Sequence, residues 1–166
     1  MEYLVNEAAI GIRRAVRQDA KLISDLIYEL ALYENAPEKC HATPEKIESS
    51  VFDRGEAKVL IAELEGTPVG FALYFYNYST WMAGKGLYLE DLFVRPEARG
   101  KGIGKKLLKT LAGIAADEGC SRFDWVCLDW NEPSIAFYKK MGAVPLTDWT
   151  IYRLDGEALA ALAEGE

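Results

Sequence analysis

Residues 87–108 read LYLEDLFVRPEARGKGIGKKLL, and they restrict the possible folds more than any other stretch of the chain. The apolar run LYLEDLFV has the length and composition of a strand. Beyond it, Ile103, Leu107, Leu108, Leu111, Ile114 and Ala115 form a stripe at helical spacing, and Gly119 stands where a left-handed C-terminal residue is wanted. A strand that passes through a glycine-rich loop into an amphipathic helix must bury one face of that helix on a sheet. Two adjacent acids, Glu90 and Asp91, nevertheless interrupt the apolar run.

The remaining patterns alternate between the two periods. Residues 10–16 alternate as a short strand does, and AKLISDLIYELALYE places Leu22, Ile23, Leu26, Ile27, Leu30 and Tyr33 on one helix face. Thr43 and Pro44 read as the N-cap and first residue of a second helix reaching about Phe52, which leaves residues 36–43 as a loop. KVLIAEL and PVGFALYFYNY flank Glu65-Gly66-Thr67, a tight polar turn, and predict an antiparallel hairpin. RFDWVCLDW predicts a further strand, EPSIAFYKKMG a helix closed by Gly142, and DWTIYRLD a last strand before a small Ala/Leu-rich helix. There is no repeat, low-complexity tract or linker, so the 166 residues predict a single mixed α/β domain.

Charge and cysteine usage narrow the function. With 19 Lys and Arg against 26 Asp and Glu, the formal net charge of −7 disfavours non-specific nucleic-acid binding and suits either simple solubility or a cationic partner. Cys40, Cys120 and Cys127 are odd in number and lack close metal-ligand spacing, while the N-terminal MEYLVNEAAIGIRR has no basic region followed by an apolar core. Free thiols in a reducing cytoplasm are the expectation. No apolar run approaches the roughly 18 residues of a membrane span, and His41 is the only histidine. Neither a membrane role nor a multi-histidine metal site is expected.

The glycine loop has a chemical reading of its own. Unpaired N–H groups at the start of the following helix point outward with the positive end of its dipole, an arrangement that binds phosphate. Gly100, Gly102 and Gly104 permit close backbone approach, and Lys101, Lys105 and Lys106 add charge; an ordinary strand-to-helix turn with solvated lysines is the alternative. A Walker loop needs Ser or Thr after its Gly-Lys, and a dinucleotide fingerprint needs GxGxxG within a parallel unit; neither fits these letters.

Arg99-Gly100-Lys101-Gly102-Ile103-Gly104 resembles the (Q/R)xxGx(G/A) loop of the GNAT superfamily of acetyl-CoA-dependent N-acetyltransferases. The likeness extends to LYLEDLFV before the loop and DWNEPSIAFYKKMGA after it, and covers most of the chain. It is strongest toward the spermidine/spermine N-acetyltransferases and their thialysine-acetylating relatives. The resemblance implies a mostly antiparallel twisted sheet with a splayed parallel strand pair, flanked by helices. It implies that acetyl-CoA lies at the splay, with the backbone of Leu92, Phe93 and Val94 along the pantetheine arm and Arg99, Gly100, Lys101, Gly102, Ile103, Gly104 and Lys105 around the pyrophosphate. Asn131, Glu132, Pro133 and Ser134 form the other wall by the same likeness, although Asn131 and Ser134 also suit helix capping. Relatives are commonly homodimers, so a homodimer is expected.

Amine acetylation sets two chemical demands. An alkylammonium has a pKa of about 10.4, so only about one molecule in 2,500 is neutral at pH 7, a deficit of roughly 4.6 kcal/mol. The nitrogen needs a proton acceptor, and the resemblance assigns Glu90, acting directly or through water; without that context Glu90 reads as a structural or rim carboxylate. Strand alternation points Asp91 to the opposite face unless a bulge intervenes. The departing thiolate needs a proton, and the resemblance assigns Tyr138, otherwise a helix-surface aromatic, as general acid. Cys127, the nucleophile of a rival covalent route, has no neighbouring His and reads as core.

For the acceptor, the resemblance matches Tyr33 and Glu34 to an amine-contacting pair, brings Asp124, Trp125 and Val126 to its border and puts Trp81 in the same groove. Core or dimer packing is the alternative for the three aromatics. Ser79-Thr80 replaces the acid expected before Trp81, and only Asp148 remains of an acidic stretch before YRLD, which weakens the case for a long, multiply charged polyamine. A diamine, thialysine or lysine-like amine stays open. A different amine such as a protein N-terminus, or a non-catalytic acyl-CoA-binding regulator, are the alternatives.

Overall fold

The computed structural model describes residues 2–7 and 9–165. Met1, Ala8 and Glu166, which belong to the 1–166 span and the N-terminal stretch read above, lie outside the described residues. The chain separates into two compact units, Met1–Val126 and Cys127–Glu166.

In the first unit the period-2 segments become a six-stranded sheet in the order β1 to β6: β1 Tyr3–Glu7, β2 Ile10–Arg14, β3 Lys58–Leu64, β4 Thr67–Ser79, β5 Gly84–Val94 and β6 Phe123–Trp125. Neighbours run antiparallel except β5 and β6, which are parallel. The mixed α/β architecture and the single parallel pair follow the expectation; β1 has no counterpart in the sequence reading. The β3–β4 hairpin turns on two residues, Glu65 and Gly66, both at positive φ (52° and 78°), the backbone twist that a two-residue hairpin favours.

The period-3.6 segments become α1 (Ala20–Tyr33), α2 (Pro44–Ile47) and α3 (Ile103–Asp117). Thr43 caps α2 as expected, its hydroxyl accepting the Lys46 N–H at 3.3 Å, and a π-helical turn, Glu48–Asp53, continues it. Against one sheet face, α1 and α2 bury Ile23, Leu26 and Ile47 on Val59, Ile61, Phe71 and Phe93. From α3, Ile103, Leu107 and Leu111 are fully buried.

A buried ion cluster ties the early elements together. Arg13 of β2 donates through Nη1 and Nη2 to Asp19 (2.7 and 3.0 Å) and through Nε to Glu63 of β3 (2.7 Å), and the Tyr3 hydroxyl donates to Glu63 at 2.6 Å. Both carboxylates are committed to one guanidinium, and all three side chains are buried.

In the second unit, Glu132–Lys140 forms α4 and Gly156–Glu164 forms α5. Two strand expectations are corrected. The predicted strand RFDWVCLDW contracts to Phe123–Trp125, because its pairing with β5 covers only Leu87, Leu89 and the residue between them. The predicted last strand, DWTIYRLD, has no regular structure: its alternation is real, but no backbone ladder partners it, and Trp149, Ile151 and Tyr152 stay largely exposed.

Replacing Arg13 by Met leaves Asp19 and Glu63 buried without their cation and should lower stability by about 3–5 kcal/mol, read as a fall in the denaturant midpoint. A Cβ at Gly70 would lie 2.5 Å from the Phe93 carbonyl oxygen across the β4–β5 pair, whereas one at Gly113 in α3 meets nothing within 4 Å. Gly70→Ala should therefore cost about 1–3 kcal/mol, and Gly113→Ala should be stabilising by about 0.5–1 kcal/mol.

Candidate active site

The acids of LYLEDLFV are placed by an irregularity in the β4–β5 ladder. Leu73 pairs with Asp91, but the next residue, Tyr74, pairs with Leu89, so Glu90 is an extra residue with no partner on β4. This bulge resets the alternation of β5. Phe71 and Leu73 belong to the α1 face, so Tyr74 and its partner Leu89 point to the other face. Beyond the bulge, Asp91 and Phe93 pair with Leu73 and Phe71 and so join the α1 face. Tyr88, opposite Phe75 with ring centroids 5.0 Å apart, lies on that same face on the near side of the bulge. Strict alternation would have sent Asp91 away from Tyr88; the structure puts them in one row.

Other acids face the same row. Glu34 follows the last residue of α1, its N–H donating to the Leu30 carbonyl at 2.9 Å. Asp124 of β6 pairs across from Tyr88 and holds Arg122 in an ion pair of 2.9 Å. The electrostatics report the crowding: burial, then Glu90, then Glu34 push the Asp91 carboxyl up to about 7. Burial also raises Glu34, and burial with the charges of Glu90 and Asp124 raises the Tyr88 phenol. Among the described residues, Glu34, Glu90 and Asp91 make no ion pair within 4.0 Å. No group of His, Cys, Asp or Glu among the described residues is arranged to hold a metal ion.

The parallel pair ends just before the acids. β6 covers β5 only as far as Leu89, so among the described residues of this unit the edge from Glu90 to Val94 has no strand partner on that side. Leu92, Phe93 and Val94 lie on this stretch, which leads through the turn Pro96–Ala98 to the glycine loop. Gly100 and Gly102 have φ of 77° and 83°, in the left-handed region, and added Cβ atoms there would meet no protein atom within 4 Å. No side chain caps α3, and Lys106 is the first residue whose N–H reaches a helical carbonyl, that of Gly102 at 3.0 Å. The N–H groups of Ile103, Gly104 and Lys105 therefore have no partner within the 15-residue helix and point outward from its start, with Lys101 and Lys105 on either side in sequence. The geometry fits a pyrophosphate.

Arg99 joins the two halves of the unit's site. Its guanidinium lies 4.7 Å from the Tyr33 ring centroid and 5.8 Å from that of Phe93, and its Nε donates to the Val94 carbonyl at 2.9 Å. The coenzyme-loop arginine of the sequence reading thus stacks on the acceptor-side tyrosine. Trp125 pairs opposite Leu89, and Val126 follows it, half exposed. Trp81 stands apart: it is 89 % exposed in the β4–β5 turn, at the end of β5 opposite the bulge.

In the second unit, Asn131 is the N-cap of α4, its Oδ1 accepting the Ser134 N–H at 3.4 Å, with Glu132 and Pro133 in the first turn. Tyr138 is on the same helix with its ring 5.3 Å from that of Phe137. The Cys127 thiol donates to the Leu128 carbonyl oxygen at 3.7 Å.

Sequence reasoning missed two members of the row, Asp91 and Tyr88. The adjacent acids in an apolar run were the visible signal, but the bulge that makes them neighbours of Glu34 leaves no mark in the letters.

Comparison with known proteins gives the family. The pattern of the acetyltransferase (GNAT) family matches residues 25–143. The chain is 39 % identical over 168 residues to thialysine N-epsilon-acetyltransferase of Sus scrofa, covering 94 % of this chain and 98 % of that protein. It is 40 % identical over 118 residues to the L-ornithine N5-acetyltransferase NATA1 of Arabidopsis thaliana, covering 70 % and 52 %. Among solved structures it superposes with a TM-score of 0.81 on an integron cassette protein, VCH_CASS6, from the mobile metagenome of V. cholerae, at 30 % identity over 96 % of this chain and all of that one. The chain belongs to the GNAT acetyltransferase family.

Proposed function

We propose that this protein transfers the acetyl group of acetyl-CoA to the primary amine of a small cationic acceptor of the thialysine or ornithine kind, with a short diamine as the next candidate. The observation that carries the reading is the row Glu34, Glu90 and Asp91 beside the partner-free edge of β5, in a chain whose relatives are named for acetyl transfer to side-chain amines. The row attracts a cation, and the edge offers backbone groups to the coenzyme's amide-bearing arm. The outward N–H groups of α3 suit its phosphates.

The residues divide the reaction as follows. Glu90, exposed on the bulge, takes a proton from the ammonium directly or through water. The neutral nitrogen attacks the thioester carbonyl, forming the C–N bond through a tetrahedral intermediate whose oxyanion is held by strand N–H groups. As the C–S bond breaks, Tyr138 of the second unit gives its proton to the thiolate and regains one from solvent, while the nitrogen of the new amide gives up its second proton to solvent. Asn131 combines its capping bond with one to the coenzyme arm. The whole 1–166 span acts as one catalytic domain. A homodimer is supported by the resemblance and by the exposed Trp149, Ile151 and Tyr152, and a cytoplasmic setting by an odd number of cysteines without close spacing.

The test is thiol release from acetyl-CoA on adding a panel of thialysine, ornithine, lysine, putrescine and spermidine. One of the first four should release thiol saturably; coenzyme binding without release on any of them would favour a non-catalytic binder. Tyr138→Phe should lower turnover roughly 100-fold or more while leaving acetyl-CoA affinity nearly intact. Unchanged turnover rejects the role of Tyr138. Cys127→Ala should remain active, and abolished transfer with an acetylated wild-type protein would replace direct attack by a covalent route.

A further inference from the structure

We propose, resting on the acetyltransferase reading above, that Arg99 is a positioning residue for the acceptor: its guanidinium bridges the coenzyme loop and the last turn of α1, so that an anion held at the loop tightens amine binding beside Glu34.

The geometry begins with a spacing. Arg95 and Arg99 stand four residues apart on either side of the turn Pro96–Ala98, and Glu29 and Tyr33 stand four apart on one face of α1. Each arginine takes one of the pair. Arg95 donates through Nε (2.9 Å) and Nη2 (2.7 Å) to the two carboxylate oxygens of Glu29, and through Nη1 to the Pro68 carbonyl at 3.1 Å. This bidentate pair is partly buried and fixes α1 to the end of β5. One helical turn on, Arg99 lays its guanidinium 4.7 Å from the Tyr33 ring centroid while its Nε donates to the Val94 carbonyl at 2.9 Å. The turn between the arginines is closed: the Ala98 N–H donates to the Arg95 carbonyl at 2.9 Å and the Arg99 N–H to the Pro96 carbonyl at 3.2 Å, with Ala98 buried. Loop and helix are thus joined at two points.

The second point is the adjustable one. Arg99 is exposed and is held by a ring face and a single hydrogen bond, where Arg95 is held by a carboxylate fork. Among the described residues, Nη1 and Nη2 of Arg99 donate to no protein acceptor. They precede Gly100 by one residue, at the start of the loop whose backbone suits a pyrophosphate. A phosphate at the loop can take the edge of the guanidinium while Tyr33 keeps its face, a two-sided use that a lysine ammonium does not offer.

The position of Tyr33 is passed to Glu34 by the way α1 ends. Asn35 has a φ of 58°, its N–H donates to the Leu32 carbonyl at 3.2 Å, and the Ala36 N–H reaches back to the Ala31 carbonyl at 2.9 Å. This is a closed left-handed cap, and Tyr33 and Glu34 lie inside it. Fixing Arg99 therefore fixes a carboxylate of the acceptor row, and the ordering that an amine would otherwise have to impose is already made.

Calorimetric titration of thialysine or ornithine into the full-length protein, with and without saturating free CoA, reads this coupling. CoA should tighten amine binding about tenfold in the wild type, within the usual range of coupling between sites. Arg99→Lys keeps the charge at an exposed position; CoA affinity should change by less than about threefold, while the CoA-dependent gain in amine affinity falls below about twofold. Amine KM should rise about tenfold with kcat nearly unchanged, the split expected of a residue that positions rather than reacts. Tyr33→Phe keeps the ring face and should keep the gain. Tyr33→Leu should lose it, and the double variant Arg99→Lys with Tyr33→Leu should lose no more of it than either alone. A second measurement needs no acceptor: CoA alone should slow hydrogen exchange at the amides of Glu34, Asn35 and Ala36 in the wild type and not in Arg99→Lys. An amine affinity that ignores CoA in the wild type, a full gain retained by Arg99→Lys, or equal slowing of those amides in both proteins overturns the inference while the acetyltransferase reading stands. If CoA does not bind, or none of these amines is acetylated by the wild type, that reading fails and the inference falls with it.

Discussion

One extra residue in β5 governs the architecture of this site. Antiparallel pairing with β4 would carry a regular alternation from Gly84 to Val94, and every residue after Leu89 would then face the other way. The insertion of Glu90 prevents this and turns the second half of the strand over. Phe93 reaches the α1 core, Asp91 comes under the charge of Glu34, and the parallel partner β6 stops at Leu89. The bulge therefore makes the acid row and coincides with the start of the strand edge beside it. A regular ladder would have left the chain with a continuous sheet and no row of acids.

The electrostatic consequence is a group of acids without an ion-pair partner among the described residues. Elsewhere in the unit, buried carboxylates have partners: Asp19 and Glu63 share Arg13 through three short hydrogen bonds. The bulge acids have no such guanidinium, since Arg99 is spent on aromatic faces and a backbone carbonyl. Positive charge is instead gathered in the loop at the start of α3, where Lys101, Lys105 and three outward N–H groups suit an anion. Opposite charges at the two ends of one short strand segment match a substrate pair in which the coenzyme is anionic and the acceptor cationic.

Much of the fold was legible because periodicity is local. The stripe from Leu22 to Tyr33 and that from Ile103 to Ala115 became helices, and Glu65-Gly66 turned the expected hairpin. What was not legible depends on pairing between distant segments. DWTIYRLD alternates as well as any strand in the chain, yet a strand exists only where another backbone completes its ladder. The same holds for Asp91: LYLEDLFV reads alike with or without a bulge, so its face is decided by whether Leu73 and Tyr74 straddle Glu90. The family likeness located the loop and the residues of NEPSIAFYKKMGA, but could not assign Asp91, and the stack of Arg99 on Tyr33 links two residues that the letters placed in separate subsites.

The most direct measurement is a crystal structure of the protein with CoA and a bound amine acceptor. The account predicts the acceptor nitrogen within about 3.2 Å of a carboxylate oxygen of Glu90 or Asp91, with the amides of the coenzyme arm bonded to the backbone of β5 between Glu90 and Val94. An acceptor bound on the α3 face of the sheet, or a coenzyme arm that leaves this edge of β5 uncovered, would contradict it.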